Sequence, residues 1–227
     1  MDYLRCVRDS LTVRAAAGAV GVHRTTSFRW RHRFVPGAMR QRPASLAGVV
    51  EADETYLLES QKGARNMCRP ARHRGRVSRQ RGIHRDHDCL LVARDRTGRT
   101  LDFHTGRGPV RLAQLAHCLS GLLARDALLI SDGAVVYRHF AAAAGLRHKY
   151  VNLRAGVRAR GAIHIQNVNG WHSRFKNWMI RFRGVASRYL AHYSGWQRLL
   201  DARELVTPAQ WLLAAAKHHW SARGLFN

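Results

Sequence analysis

Apolar residues fall on helical faces in two short runs between residues 1 and 35. In the first run they share one face: Leu11, Ala15, Ala16, Ala19 and Val20. Gly21 ends this run, and Thr25 opens a second run that mixes apolar and basic residues. Because Gly favours tight turns and Thr caps helix starts, the pattern predicts two helices joined by a turn, with Thr25 as the second N-cap. It predicts no supporting helix before this pair.

Strand patterns follow a short break. Residues 36–47 are rich in Pro, Gly and polar positions, which predicts a linker. Residues 46–58 show no helical period and predict a strand. Residues 89–105 contain two apolar runs around the turn Asp95–Gly98 and predict a hairpin beside that strand. The intervening residues 60–88, rich in Arg, His and Gly, predict a long basic loop.

The second half of the chain alternates helices with strands. Residues 110–123 place leucines on one face and predict an amphipathic helix, and the apolar residues 127–131 predict a buried parallel strand. The remaining segments predict a helix, a short strand, a long helix and a helical end: residues 135–144, 149–152, 165–182 and 186–220. This order of elements is that of the ribonuclease-H-like fold, although many α/β domains begin in the same way.

The charge of the chain is strongly one-sided. Its 227 residues include 39 Lys and Arg against 14 Asp and Glu, a formal net charge of +25, and only four of the basic residues are Lys. Arg binds phosphate through paired hydrogen bonds, so this balance predicts a polyanionic partner. Coding bias toward Arg would explain the choice of Arg over Lys, but it would not explain the shortage of acids.

Composition also argues against several classes of protein. No window approaches 18 uncharged apolar residues, and the first residues lack the apolar core of a signal peptide, so we expect a cytoplasmic protein without a membrane partner. The four cysteines include no C-x-x-C pair, which argues against a zinc site and a disulfide framework.

Basic side chains concentrate in segments that suit nucleic acid. The second predicted helix would present Arg24, Arg29, Arg31 and Arg33 to phosphates and base edges. A plain helical hairpin with a solvated basic face is the alternative. The basic loop and a later arginine cluster supply further candidate contacts: Arg72, Arg74, Arg76, Arg158 and Arg160.

Acidic residues are scarce, so their positions are informative. Glu51, Asp53 and Glu54 lie in the first predicted strand, where alternation puts Glu51 and Asp53 on one face and Glu54 on the other. Asp132 ends the apolar parallel strand, where it is either a helix cap or a metal ligand. If the two strands are neighbours, Asp53 and Asp132 repel each other unless a divalent cation such as Mg²⁺ lies between them.

A polar helix supplies a third group. Within residues 164–176, Asn169, Ser173 and Lys176 fall on one helical stripe. The amide oxygen of Asn169 would complete a metal shell, and the ammonium of Lys176 would hold a phosphate. A solvated helix with incidental Asn and Lys is the alternative.

At these residues the chain resembles the DDE-type transposases of bacterial insertion sequences. Within them it is similar to the ISXO2-like group, also called the insertion-sequence fifteen-ninety-five family, in its D-D-N-K subgroup. The resemblance spans nearly the whole chain, and residues 10–34 resemble the family's helix-turn-helix. The stretches that carry it are Glu51–Ser60, Lys62–Gly63, Leu91–Arg96, Ser131–Gly133, Ala162–Lys176, Gly184–Ala186 and Tyr189–Leu190.

The resemblance implies the roles of individual residues. Asp53, Asp132 and Asn169 would be the catalytic, metal-binding triad for two Mg²⁺ or Mn²⁺ ions, with Lys176 as the trailing catalytic, DNA-contacting residue. Asn is a neutral ligand, so one ion would be held more weakly than by Glu unless Glu51 or Glu54 contributes.

The resemblance also implies an α/β fold, with a ribonuclease-H-like catalytic core of five mixed strands and flanking helices behind a short helix-turn-helix segment. The expected divisions are a partial helix-turn-helix segment, a linker, the core and a C-terminal helical segment: residues 1–35, 36–47, 48–183 and 184–227. The expected activity is metal-dependent strand cleavage at element ends and strand transfer into target DNA. The expected partners are double-stranded DNA, in terminal inverted repeats and target, and further copies of the chain assembled on it.

One departure from the family favours a rival interpretation. Family members usually carry a zinc ribbon before the helix-turn-helix, and this sequence begins after that position. We therefore expect impaired recognition of element ends. The rival function is a truncated, non-catalytic DNA-binding remnant, and a nuclease that cleaves without joining is a third alternative. In each case the location would be the bacterial cytoplasm, on nucleoid DNA.

Overall fold

The computed structural model of the chain describes residues 1–72, 78, 80–151, 156 and 159–223, with the backbone alone for 218–223. The chain divides into two compact units. The helical unit contains Met1–Arg42, Trp178–Arg183 and the helices from Tyr189 onward. The sheet unit contains Pro43–Asn177 and Gly184–Arg188.

The described residues form the following helices in chain order: α1 (Asp2–Arg8), α2 (Val13–Ala19), α3 (Arg24–Phe34), α4 (Pro36–Arg40), α5 (Leu112–Leu119), α6 (Val135–Ala143), α7 (Gln166–Ile180), α8 (Leu190–Ala202) and α9 (Pro208–Arg223). Their strands are β1 (Val49–Leu58), β2 (His87–Asp95), β3 (Thr100–Arg107), β4 (Leu128–Ser131), β5 (Arg147–Tyr150), β6 (Ala159–Arg160) and β7 (Ile163–His164). In this described part of the chain, no helix is long and apolar enough to cross a membrane.

The sheet unit is built on a five-stranded mixed sheet in the order β3-β2-β1-β4-β5. The first three strands pair antiparallel, whereas β4 lies parallel to β1 and β5 lies parallel to β4. A central first strand between an antiparallel hairpin and two parallel strands is the ribonuclease-H-like arrangement. The predicted α/β fold class is therefore confirmed, and the short β6-β7 ribbon is an element that the sequence pattern did not predict.

Strand β1 directs alternate side chains to opposite faces of the sheet. Val50 and Ala52 are fully buried in an apolar core that includes Leu129 of β4 and Tyr137 of α6. The side chains of Glu51 and Asp53 therefore lie on the other face, where they contact α7. This is the alternation that the sequence predicted.

Most predicted elements of the sheet unit are confirmed, with shifted ends. The predicted hairpin is β2-β3, joined through Asp95–Gly98. Helix α5 ends at Leu119, earlier than predicted, because the backbone of Ser120 is extended. In the predicted basic loop, the described residues form no helix or strand before β2 begins at His87.

The helical unit packs around tryptophans. The ring of the fully buried Trp196 lies 5.0 Å from that of Trp178 and 6.5 Å from that of Trp211, measured between centroids. The buried Arg198 of α8 donates a hydrogen bond to the carbonyl of Ala38 at 2.9 Å. Close packing needs Gly195, because a Cβ there would lie 2.6 Å from the Cα of Met39.

Three expectations for the first 47 residues are wrong. Helix α1 precedes the α2 and α3 pair, and its residues Leu4 and Val7 are buried. Helix α3 is capped by His23, whose Nδ1 accepts the N–H of Thr25 at 3.3 Å, and not by Thr25. The predicted linker begins with helix α4, since Pro36 has the fixed φ that suits a first helical position.

Candidate active site

Two adjacent parallel strands bring two carboxylates together. Glu51 of β1 pairs with Ile130 of β4. Counting two residues further along each strand places Asp53 beside Asp132, just beyond the carboxyl end of β4. The Oδ1 of Asp132 accepts the N–H of Ala134 at 3.0 Å, and Ala134 itself is the N-cap of α6. Asp132 therefore shapes the turn into α6 without being its N-cap.

The surroundings of Asp53 oppose its negative charge. Its side chain is only 17 % exposed. Burial, followed by the charges of Glu54 and Asp132, raises the pKa of Asp53 from 3.8 to about 7, and Lys176 acts in the opposite direction. The site thus concentrates negative charge that a cation would relieve.

Glu54 joins the site from the opposite face of β1. Its Oε1 accepts a hydrogen bond from the hydroxyl of the buried Tyr137 of α6 at 2.6 Å. Burial raises the pKa of Glu54, the Tyr137 hydrogen bond lowers it, and Asp132 raises it. Glu54 is therefore anchored to α6 and adds to the negative potential at Asp53.

Helix α7 turns a polar stripe toward Asp53. Nδ1 of His172 lies 3.8 Å from Oδ2 of Asp53, and the side chain of His172 is buried. Asn169 and Lys176 lie three residues before and four after His172, so they share its face of the helix. Burial, then the charge of Lys176, lowers the pKa of His172 to about 3, so its imidazole is neutral. Within the described residues, the Asn169 side chain makes no hydrogen bond to either aspartate.

Glu51 is not placed to act as a further metal ligand. It is fully buried, and both of its oxygens accept hydrogen bonds from the first turn of α7. The oxygens of Glu51 are thus already engaged by α7 in the described structure.

The donor set fits a hard divalent cation. Two carboxylates in strand register and an amide on the facing helix are the ligand types that Mg²⁺ and Mn²⁺ take. The raised pKa of Asp53 indicates an excess of negative charge when no cation is bound. Among the side chains that the structure describes, no group of three or more His, Cys, Asp and Glu could hold a metal. The facing stripe of α7 also carries the side-chain amide of Asn169.

The predicted DNA-contacting arginines have different surroundings. On α3, the side chains of Arg24, Arg29 and Arg33 are exposed, as is Arg160 on β6. Arg72 is paired within the chain, since its Nη2 lies 2.9 Å from Oδ2 of Asp86. Three further candidates lie outside the described residues: Arg74, Arg76 and Arg158.

The prediction that Arg31 contacts DNA is wrong. Arg31 is fully buried in the helical unit, where it donates a hydrogen bond to the carbonyl of Leu11. Its guanidinium carbon lies 5.2 Å from the ring centroid of Trp196 and 5.8 Å from that of Phe182. Arg31 is a core residue, held by cation–π contacts rather than by phosphate.

Sequence reasoning also missed residues of this site. His172 was not singled out, although its spacing of three residues from Asn169 and four from Lys176 was a usable signal. Tyr137 gave no signal, because an apolar helix face normally packs a tyrosine for its bulk alone.

The profile of the ISXO2-like transposase domain matches residues 45–196, which include all four predicted catalytic positions. No curated protein matches the chain significantly.

Solved structures that align with the chain include complexes of the Mos1 transposase. One is a paired-end complex with the left transposon end, at 15 % identity and a TM-score of 0.33, covering 94 % of this chain and 77 % of that one. A pre-cleavage Mos1 transpososome aligns at 14 % identity with a TM-score of 0.29, at the same coverages. The fold itself follows from the strand order β3-β2-β1-β4-β5.

Proposed function

Because the chain belongs to the ISXO2-like transposase domain family, we propose that it is a catalytic D-D-N-K transposase of a bacterial insertion sequence. The proposed reaction has two phosphoryl transfers. Water attacks the phosphodiester at the element end, and the 3′ oxygen leaves and takes up a proton. That 3′-hydroxyl then attacks a phosphodiester of target DNA, losing its proton, while a 3′ oxygen of the target leaves.

One observation carries this proposal: the strand register that sets Asp53 beside Asp132, opposite the polar stripe of α7. A remnant kept only for its fold would gain nothing from this arrangement, because repulsion between buried carboxylates destabilises a folded chain. The pKa of Asp53, raised to about 7, reflects its burial first and then the charges of Glu54 and Asp132. The arrangement is useful to a protein that binds a cation there.

Each residue has a role in this reaction. Asp53 and Asp132 would hold two divalent ions, and the Asn169 amide would complete the shell of one of them. When bound, such ions favour deprotonation of the nucleophile and stabilise charge on the phosphate. The exposed ammonium of Lys176 would contact a phosphate near the scissile bond.

Duplex DNA is the substrate that the charge of the chain favours. With a net charge of +25, the chain would bind phosphates and release counterions, so its affinity should fall steeply with salt. On α3, Arg24, Arg29 and Arg33 are exposed and would contact the DNA backbone or base edges. Strand transfer at paired ends would need two or more copies of the chain assembled on DNA.

The test uses the purified chain and duplex DNA carrying the element's own flanking inverted repeats. Products of cleavage and of strand joining are separated on denaturing gels, with Mg²⁺, with Mn²⁺ and with chelator. Asp132→Asn serves as the catalytic variant, and Asp126→Asn, an exposed aspartate of the same unit, is the matched control.

We expect joined product in Mg²⁺ or Mn²⁺ from the wild-type chain and from Asp126→Asn, and none with chelator or from Asp132→Asn. Cleavage without joining would instead identify a nuclease. Retained DNA binding with neither product would make the non-catalytic remnant the correct interpretation.

A further inference from the structure

Glu51 makes five contacts, and three of them join β1 to the start of α7. Its Oε2 accepts the backbone N–H groups of Asn167 at 2.7 Å and Val168 at 3.0 Å. Its Oε1 accepts the side-chain amide of Asn167 at 2.8 Å and lies 3.1 Å from Nη1 of Arg96 and 3.3 Å from Nδ1 of His164. A fully buried carboxylate thus accepts from donors on α7 and from Arg96.

These contacts satisfy the first turn of α7, whose N–H groups have no partner within the helix. The first intrahelical bond runs from the N–H of Asn169 to the carbonyl of Ile165. The preceding N–H of Gln166 lies 3.3 Å from Nδ1 of His164, and Glu51 takes the next two. Glu51 therefore does what an N-cap side chain does, but from another strand, and its negative charge suits the helix N-terminus.

The spacing of contacts along β1 matches the spacing along α7. Glu51 and Asp53 are two residues apart on one face of β1, which is about 6.6 Å of strand. Their partners Val168 and His172 are four residues apart on α7, which is about 6 Å of helix. Because the two contacts have matching spacings, together they fix the position of α7 along β1 and the rotation of α7 about its own axis. Asn169 lies between the two contacts, next to the Glu51 end.

We propose that Glu51 is the positioning residue of the metal site, holding the first turn of α7 so that the Asn169 amide stands at the ion bound by Asp53 and Asp132. This inference rests on the proposed function for the identity of the ligands. A neutral amide is a weak ligand because its Coulomb attraction to the ion is small. Its position must therefore be set by the surrounding protein. Arg96 keeps Glu51 in place and also donates to the carbonyl of Ala162 at 2.8 Å.

The test measures metal affinity without requiring catalysis. Mn²⁺ binding to the full chain is followed by calorimetry and by the loss of the free-ion signal in electron paramagnetic resonance. The variant is Glu51→Gln, and the matched control is Glu59→Gln, since Glu59 is also buried and paired with arginines but contacts Arg69 and Arg107 instead of α7. Both substitutions are repeated in chains carrying Asn169→Ala.

We expect Glu51→Gln to weaken Mn²⁺ binding about tenfold when Asn169 is present. In the Asn169→Ala background the same substitution should change the affinity less than about twofold, because the group it positions is gone. Glu59→Gln should leave the affinity unchanged in both backgrounds, even if it lowers the melting temperature. A merely structural role for Glu51 would give equal losses with and without Asn169, and that result overturns the inference.

A second variant keeps the inference testable if Glu51→Gln does not fold. Asn167→Ala removes one donor to Glu51 from an exposed position and should weaken Mn²⁺ binding in the same direction, by a smaller factor. Unchanged affinity in that variant overturns the inference. The positioning role and the proposed function fail in different ways. Full Mn²⁺ affinity in both variants, with DNA joining intact, overturns the positioning role alone. A wild-type chain that binds no Mn²⁺ overturns the proposed function as well.

Discussion

Replacing Asp53 with Asn should stabilise the metal-free chain, although it should abolish activity. The carboxylate of Asp53 is buried beside two other carboxylates, and its pKa is raised from 3.8 to about 7. At a pH above that value the charge is present in both the folded and the unfolded chain, and only in the folded chain is it removed from water and repelled by its neighbours. Asn has nearly the same shape without the charge, so it removes the repulsion and keeps the packing.

The expected size follows from the two pKa values. The interval between 3.8 and about 7 corresponds to about 4 kcal/mol of destabilisation at about pH 8. Burying an amide in place of the carboxylate has its own cost, and a net gain of about 2 kcal/mol remains reasonable. For a chain of this length that gain is an increase in melting temperature on the order of 5 °C.

The sign of the pH dependence is fixed by the raised pKa. The folded chain binds the Asp53 proton more tightly than the unfolded chain does, so wild-type stability relative to Asp53→Asn is greatest below about pH 4. It falls as the pH rises from about 4 to 7 and is constant above that range. The advantage of Asp53→Asn should grow over the same interval.

Thermal unfolding in chelator and in millimolar Mg²⁺ provides the assay, with Asp126→Asn as the control for removing an exposed charge. In chelator at about pH 8, Asp53→Asn should melt above the wild type and Asp126→Asn should melt with it. Mg²⁺ should raise the melting temperature of the wild type and not that of Asp53→Asn, because a ligand stabilises only the folded state that binds it. A lower melting temperature for metal-free Asp53→Asn than for the wild type would refute the reasoning.

Four further results are expected. Asp132→Ala should abolish cleavage and leave the affinity for duplex DNA unchanged or raised in an electrophoretic mobility shift assay, since it removes negative charge facing the phosphates; a large loss of affinity would contradict the assignment. Asn169→Ala should raise the Mg²⁺ concentration for half-maximal product by about tenfold, whereas an equal loss at every Mg²⁺ concentration would count against a ligand role. Arg31→Met should lower the free energy of unfolding by about 2–4 kcal/mol, measured by urea denaturation, because it removes a buried hydrogen bond and two ring contacts. Arg29→Ala, from an exposed position of the same helix, should leave stability within about 0.5 kcal/mol and reduce the salt slope of DNA binding by about 1, and unchanged DNA affinity would remove Arg29 from the interface.

The local sequence was sufficient for the order of elements and for the faces of β1. Period-two alternation over residues 50–54 correctly separated Glu51 and Asp53 from Glu54, because side-chain direction in a strand depends only on position along it. The apolar run before Asp132 correctly predicted a buried parallel strand, since such strands are apolar on both faces. These features depend on neighbours in the sequence.

The roles of charged residues were harder to predict, because they depend on partners that are distant in the sequence. Arg31 has the spacing and charge of a DNA contact, and only the packing of Trp196 and Phe182 around it makes it a core residue. Glu51 has the carboxylate side chain of a metal ligand, and only the packing of α7 against that carboxylate makes it a helix cap. A charged side chain takes its function from its partner.

The sequence by itself therefore determined the fold class and the positions of the two aspartates, one on β1 and one just beyond the end of the neighbouring strand β4. Tertiary structure alone decided which carboxylates are left for a cation. Asn167 and Val168 reach Glu51 from more than a hundred residues away in the sequence, and His172 reaches Asp53 from as far. No local pattern encodes such encounters, because they depend on how β1 and α7 pack, and that packing is set by burial of the whole sheet unit rather than by either segment.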